Sequence, residues 1–96
     1  MIRSFRNQGT EDIFNGRDSK AARKVIDTQY QPLARIHLVM LNAATTLEDL
    51  RSPGNQVERL KKDRTGQRGL RINKQYRVCF VWSDGDAEQV EVTDYH

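Results

Sequence analysis

The chain has 96 residues, with 16 Lys and Arg, 13 Asp and Glu, two His, one Cys and a net charge of +3. This length fits one small domain, which leaves little stability in reserve. One Cys excludes an internal disulfide framework, and Cys79, His37 and His96 lack the spacing of a zinc site. No apolar run approaches the ~18 residues of a membrane span, and the N-terminal segment lacks the apolar core of a secretory signal. We therefore expect a cytoplasmic protein with a reduced thiol.

Local sequence patterns predict the elements of the N-terminal half. Residues 1–5 alternate as a short strand does, and Thr10, followed by two acids, predicts the start of a helix that Gly16 ends. Pro32 predicts the first turn of a longer helix. The apolar residues at helical spacing in that helix predict the side that packs on the core: Leu33, Ile36, Met40, Ala43, Ala44 and Leu47. This side is widened by Leu38, Val39 and Leu41, so we expect the helix to be the most buried element.

Residues 15–31 are the least core-like part of the chain. Their only sizeable apolar groups are Val25, Ile26 and Tyr30. Two interpretations stay open, a mobile loop or a weak helix that becomes ordered on a partner. We therefore expect one domain over residues 1–96 with a mobile segment at 15–31.

The pattern changes to a period of two after the break Ser-Pro-Gly-Asn at 52–55. Alternation predicts strands at 57–60, 66–72, 76–82 and 87–95, and Asp84-Gly85 is typical of a hairpin turn. Helices followed by an antiparallel meander predict an α+β fold, with the N-terminal helices packed on one face of a small antiparallel sheet.

The alternation also predicts which side chains share the sheet face away from the helices. If Leu70, Val78 and Val92 face the helices, five residues face the other way: Arg71, Arg77, Cys79, Thr93 and Tyr95. Asp94 and His96 lie at the chain end, where this alternation need not hold. The loop 61–64 enters from one edge, so we expect a concave, basic floor with a titratable group at its rim.

Charge is unevenly distributed along this half. Eight basic residues and one acid occupy 59–77, whereas 84–96 contains five acids and no Lys or Arg. The basic residues are Arg59, Lys61, Lys62, Arg64, Arg68, Arg71, Lys74 and Arg77. A block this dense suits phosphate contact, but on charge alone a solvated basic face balanced by the acidic tail is the more common case.

Cleavage of an RNA phosphodiester needs few groups. A base removes the proton of the 2′-hydroxyl, cations stabilise the charge on phosphorus, and an acid protonates the leaving 5′-oxygen. His96 suits either proton transfer, and Asp94 suits orienting it or acting as the base. Lys61 and Arg77 suit phosphate neutralisation, and Tyr95 suits base stacking. The structural alternatives are a frayed terminal His, a Tyr that covers the sheet edge, and a Cys79 that simply packs.

Five segments then occur in a fixed order. They are MIRSF at 1–5, LRSPGN at 50–55, LKKDRTGQ at 60–67, RIN with YRVCF between 71 and 80, and VTDYH at 92–96. Together they resemble the HigB-type toxins of bacterial toxin–antitoxin pairs, within the RelE/ParE superfamily. The similarity covers nearly the whole chain apart from 15–31. It implies a fold like that of RelE and the microbial RNases, and a toxin that cleaves mRNA in the ribosomal A site. We expect no metal or cofactor, because the nucleophile of the RNA cleavage described above is already in the substrate.

The resemblance also implies roles for single residues. Lys61 corresponds to a basic catalytic-loop residue, Arg77 to the strand arginine at the phosphate, and 94–96 to the terminal catalytic group Asp94, Tyr95 and His96. Some members carry a His three positions before the loop Lys, where this chain has Glu58. A carboxylate serves as a base but supplies no positive charge, so milder activity is expected. The remaining basic residues are expected to bind RNA: Arg59, Lys62, Arg64, Arg68, Arg71 and Lys74.

The expected partners are the ribosome with its mRNA, and a helix-turn-helix, HigA-like antitoxin encoded beside the toxin. Operator DNA would be bound indirectly, through that antitoxin. Two other functions stay open. A non-catalytic, ParE-like gyrase poison has the same fold but leaves the terminal His without a role, and a plain nucleic-acid-binding module binds with salt sensitivity and without turnover.

Overall fold

A computed structural model describes residues 1–51 and 57–95, and in them helices pack against one face of a four-stranded antiparallel sheet. The helices are α1 (Gln8–Phe14), α2 (Lys20–Val25) and α3 (Gln31–Ala43), with 3-10 turns at Thr28–Tyr30, Leu47–Leu50 and Lys62–Arg64. The strands are β1 (Val57–Arg59), β2 (Arg68–Arg71), β3 (Tyr76–Ser83) and β4 (Asp86–Asp94), in the spatial order β1-β2-β3-β4. The predicted α+β meander is confirmed, and the predicted break at 52–55 lies outside the described residues. None of the helices described is long and apolar enough to cross a membrane.

The N-terminal segment lies parallel to β4 along its outer edge. Ile2 and Phe5 form single bridges with Ala87 and Val90, and the Arg3 amide donates to the Ala87 carbonyl at 2.7 Å. The strand predicted at the N-terminus is therefore reduced to two bridges. They satisfy backbone groups that would otherwise leave β4 as an open edge.

Helix α1 begins earlier than its strongest sequence signal indicates. The Asn7 side chain accepts the Thr10 amide hydrogen bond at 2.8 Å, so Asn7 is the N-cap and the predicted cap at Thr10 is wrong. Both residue types cap helices well, and only the chain's path decides between them. Thr10 is instead fully buried, and its hydroxyl accepts a hydrogen bond from the Val92 amide at 3.1 Å. The predicted end at Gly16 is confirmed by its left-handed φ of +72°.

Residues 15–31 contain helix α2, so the helix of the second predicted alternative is present, and its ordering on a partner stays a prediction. The Ser19 hydroxyl caps it by accepting the Ala22 amide hydrogen bond at 3.0 Å. Ala22 and Ile26 are buried and join the core, so this segment contributes to packing despite its polar composition.

The expected mobility of this segment stays a prediction. We expect amide hydrogen exchange in peptides from 15–31 to be faster than in peptides from α3, because a six-residue helix with few buried side chains opens at low free energy. Hydrogen-exchange mass spectrometry of the free protein measures this directly. Protection in 15–31 equal to that of α3 would contradict it.

Helix α3 turns to the sheet a different side from the one that its apolar spacing predicts. Its buried residues are Ala34, His37, Leu38 and Leu41. Leu33 and Ile36, from the predicted core stripe, are 37% and 56% exposed. Leu38 and Leu41, which widened the predicted stripe, are buried, so the prediction is confirmed at these two residues and wrong at Leu33 and Ile36. The helix is apolar on more than one side, and periodicity alone does not select the side that is buried.

The core lies between α3 and one face of the sheet. Leu70, Val78 and Val92 stand in register across β2, β3 and β4, and all three are buried, as the alternation predicts. An irregularity in the β3–β4 pairing follows Cys79, and Gln89 there has a φ of +52°. The irregularity gives β4 one more residue than the facing part of β3. The additional residue lets β4 keep its hydrophobic side on the core on both sides of the irregularity.

Candidate active site

The sheet face away from the helices carries the arginines predicted there. Register places Arg77 opposite Arg71 on β2 and opposite Thr93 on β4. The neighbours of Arg77 in β3, Tyr76 and Val78, pack on the core, so Arg77 points the other way. We call the side of the sheet that carries Arg71, Arg77 and Thr93 the open face.

Arg77 is held on the open face by several neighbours. Its Nε donates to Glu58 Oε1 at 3.0 Å, and its Nη1 donates to the carbonyl oxygens of Asn73 at 2.8 Å and Tyr76 at 3.1 Å. Its Cζ lies 5.9 Å from the centre of the Tyr95 ring, within the range of a cation–π contact. The side chain is only 13% exposed. The guanidinium is therefore oriented before any ligand arrives, which reduces the ordering that binding requires.

Arg71 lies beside Arg77 and completes what we call the Arg77 cluster: Arg77, Arg71, Glu58 and Tyr95. The Arg71 Nε donates to the Asn73 carbonyl at 3.2 Å, the same oxygen that Arg77 binds. Two guanidinium groups are thus fixed near each other on neighbouring strands. Such a pair suits an anion with two or more charged oxygens, as a phosphodiester has.

The basic loop 61–64 is folded onto the open face next to this cluster. Leu60 is 4% exposed and packs on Gly69, where a methyl group would lie 3.0 Å from Leu60 Cδ2. Lys61 is exposed at the start of the 3-10 turn that follows. Neither Leu60 nor Gly69 was among the predicted site residues, although a Gly inside a strand indicates that another part of the chain approaches closely.

Arg64 has a different environment from the other residues of the predicted RNA-binding set. Its Nη1 donates to Glu91 Oε1 at 2.9 Å and to Gln67 Oε1 at 3.3 Å. Burial opposes its charge, but the hydrogen bond to Glu91 and the nearby charges outweigh this and raise the pKa of Arg64. Glu91 is the acidic residue at this site that sequence analysis missed, because the five acids of the tail look alike until the register is known.

The other predicted RNA-binding residues are not all on one surface. Register pairs Arg59 with Arg68, and Arg68 with the core residue Phe80, so both arginines lie on the helix side at the sheet edge. Lys62 and Lys74 are exposed in turns. The open face therefore gathers only part of the basic block.

Two residues of the predicted terminal group, Asp94 and Tyr95, lie on opposite faces of the sheet. Asp94 stands opposite Tyr76 and accepts a hydrogen bond from the Gln75 side chain at 2.8 Å, so alternation continues to this residue and turns it away from Tyr95. Tyr95 joins the Arg77 cluster, and His96 lies outside the described residues. In 1–51 and 57–95 no three His, Cys, Asp or Glu side chains are grouped as a metal site requires.

Cys79 lies in the row next to Arg77, between Gly69 and Glu91 on the neighbouring strands. It is fully buried, which confirms the interpretation of a residue that packs. Burial raises the pKa of the thiol from 9.0 to about 11. The thiol is therefore neutral at pH 8.

We expect Cys79 to resist alkylation in the folded protein. At pH 8 its thiolate fraction should be about a hundredfold below that of an unfolded thiol, because the pKa is higher by about two units. Iodoacetamide labelling followed by mass spectrometry measures the rate, with the same protein in guanidinium chloride as the control. Equal rates in the two conditions would contradict this prediction.

Comparison with known proteins identifies the family to which this chain belongs. The family described as a RelE-like toxin of type II toxin-antitoxin system HigB matches residues 3–96. The chain is 36% identical to Toxin HigB-1 of Vibrio cholerae serotype O1 over 88 residues, which cover 91% of this chain and 90% of that protein. It is 26% identical to Endoribonuclease HigB of Proteus vulgaris over 96 residues, the whole length of both. Its fold is similar to that of a chain in the YoeB-YefM complex from Staphylococcus aureus, with a TM-score of 0.58 and 14% identity over 100% of this chain and 98% of that one. The chain therefore belongs to the HigB-like family of RelE-like toxins from type II toxin–antitoxin systems.

Proposed function

We propose that this toxin is a ribosome-dependent endoribonuclease of the cytoplasm that cleaves mRNA in the ribosomal A site. The observation that carries the proposal is the Arg77 cluster, a pair of oriented guanidinium groups with a carboxylate and an aromatic ring beside them. The full-length similarity to the Proteus vulgaris endoribonuclease supports the same chemistry.

The proposed reaction moves a phosphoryl group within the RNA. A base removes the 2′-hydroxyl proton, the 2′-oxygen forms a bond to phosphorus, and the bond from phosphorus to the 5′-oxygen breaks as an acid protonates that oxygen. The products are a 2′,3′-cyclic phosphate and a 5′-hydroxyl. Because the substrate itself supplies the nucleophile, the protein has to provide charge stabilisation and two proton transfers, and we propose that it does so without a metal.

The Arg77 cluster suits the first of these tasks. Arg77 and Arg71 would stabilise the charge that develops on the non-bridging phosphate oxygens. Tyr95 would stack on a base of the strand, and exposed Lys61 would neutralise the neighbouring backbone. Glu58 is 45% exposed, so it is accessible to substrate as well as bonded to Arg77.

The proton transfers are proposed for Glu58 and the chain end. Glu58 is the carboxylate of the cluster and is proposed as the base. His96 follows Tyr95 directly and is proposed as the acid, since an imidazole titrates near neutral pH. Asp94, turned toward Gln75, is proposed to act on the orientation of the chain end. Lys62 and Lys74, exposed in turns, are proposed to contact phosphates of the mRNA or the ribosome.

A type II toxin has an antitoxin, and we propose that the partner here is a small helix-turn-helix protein of the HigA kind, encoded by the neighbouring gene. The pair would bind its operator through the antitoxin. Co-expression of that protein should restore growth and should allow the two proteins to be purified together. Growth arrest that persists despite a soluble neighbour protein would contradict the assignment of the partner.

The decisive experiment incubates purified protein with mRNA, with and without programmed ribosomes, and maps the new 5′ ends. We expect cuts within the A-site codon only when ribosomes are present. Cuts in free RNA would contradict ribosome dependence, and DNA damage without RNA cuts would indicate a gyrase poison. Replacing a non-bridging oxygen of the scissile phosphate by sulfur tests whether cleavage requires a metal ion. If this substitution slows cleavage and Mn²⁺ restores the rate, the reaction is not metal-independent.

A further inference from the structure

We propose that Glu91 is a positioning residue that, through Arg64, fixes the basic loop 61–64 on the open face. The inference rests on the proposed function, because it assigns the fixed loop to presenting Lys61 to RNA. It also gives Arg64, predicted above to bind RNA, a role in holding the loop.

The contact between Glu91 and Arg64 has the geometry of an anchor. Arg64 Nη1 lies 2.9 Å from Glu91 Oε1, and the two residues are 27 positions apart in the chain. Their side chains are 25% and 17% exposed, so water screens this pair less than it screens a surface pair. The Gln67 side chain accepts a second hydrogen bond from the same Arg64 nitrogen at 3.3 Å. Both of these Nη1 hydrogen bonds are made to protein acceptors, which fixes the orientation of the Arg64 guanidinium.

The loop needs such an anchor because its backbone is held by short-range bonds. It consists of a three-residue 3-10 turn in which Lys62 has a φ of +57°, a conformation that a residue with a side chain rarely adopts. The Arg64 amide donates to the Lys61 carbonyl at 3.2 Å, which ties Lys61 directly to the residue that Glu91 holds. Leu60 on Gly69 is the apolar contact at the other end of the loop.

The surroundings of Glu91 explain why one acid in the tail has this role. On the open face it stands opposite Cys79, whose thiol is neutral, and faces Arg64 and, at 3.9 Å, the Nε of Arg6. A negative charge between two cations holds both, whereas a neutral amide at the same place would hold neither as firmly. In this arrangement Glu91 holds the loop, and its effect on RNA passes through Arg64.

The test compares Glu91→Gln with Glu88→Gln, which removes an acid from the same strand opposite Val81. Two readouts are measured at a temperature at which circular dichroism shows every variant folded. One is kcat for cleavage on programmed ribosomes, and the other is the iodoacetamide reactivity of Cys79, which lies between Glu91 and Gly69 beneath the loop. The second readout does not require nuclease activity.

For Glu91→Gln we expect kcat to fall on the order of 10- to 100-fold, as misplaced reacting groups do, and Cys79 labelling to accelerate. Glu88→Gln should match the unmodified protein in both. If Glu91→Gln does not fold, Arg64→Gln removes the same pair from the loop side. The double variant, with both Arg64→Gln and Glu91→Gln, should lose no more activity than either single variant, since the two residues act as one unit.

Three results would overturn the proposal. They are unchanged kcat and labelling in Glu91→Gln, a fall in kcat while Cys79 stays protected, and losses that multiply in the double variant. If the unmodified protein cleaves no RNA, the proposed function fails. Cys79 labelling in Arg64→Gln then decides whether the pair fixes the loop, because removal of the Arg64 charge would by itself raise the thiol pKa and slow labelling, so faster labelling can come only from a displaced loop.

Discussion

Replacing Arg77 by Ala is expected to reduce cleavage on programmed ribosomes by about 100- to 1,000-fold, the usual loss when a fixed donor to a developing negative charge is removed. The guanidinium is oriented by Glu58 at 3.0 Å and by two backbone carbonyls, so its loss removes the best-fixed cation of the open face. Arg77→Lys should recover only part of the rate, because an ammonium lacks the planar pair of donors that fits a phosphate. Single-turnover cleavage and growth after induction measure both effects.

The matched control for this variant is Arg23→Ala. Arg23 lies on α2, is half exposed and pairs with Asp18 at 2.8 Å, on the helical side of the molecule. It removes the same charge from the chain without touching the open face, so cleavage and toxicity should persist. Full activity of Arg77→Ala in a folded protein, or equal losses in both variants, would show that the Arg77 cluster is not the site of reaction.

The second large effect concerns the buried side of α3. Leu38→Ala is expected to lower the free energy of unfolding by about 2–5 kcal/mol, because Leu38 is completely buried and its truncation leaves a cavity. Leu33→Ala removes the same atoms from the same helix, but Leu33 is 37% exposed, and we expect a loss below about 1 kcal/mol. Urea unfolding followed by circular dichroism measures both.

These two leucines form a controlled pair, since helix propensity changes equally in both. Similar losses would mean that α3 is rotated relative to the sheet from the orientation described. The comparison matters for the site, because α3 supports the sheet from behind, and a chain this short has little stability to lose.

Much of the architecture was predictable because β2, β3 and β4 carry strong local patterns. In β3 the alternation of Arg77 and Cys79 with Val78 and Phe80 has a single solution, with the apolar residues on the core. That solution places Arg77 on the open face, and the same alternation in β2 and β4 places Arg71 and Tyr95 there. The helices were less predictable, since Asn7 and Thr10 are equally suitable caps, and α3 has apolar residues on more than one side.

The residues by themselves determined that helices precede the strands, the faces of β2, β3 and β4, and the placement of Arg71 and Arg77 on one side of the sheet, because all three depend on near neighbours in the chain. Only the tertiary structure decided which acid meets which base. Glu58 reaches Arg77 across 19 residues and Glu91 reaches Arg64 across 27, and such pairings depend on strand register and loop path. An acid looks the same in sequence whether it holds an arginine or faces water, since its role is set by distance and burial that only the folded chain creates.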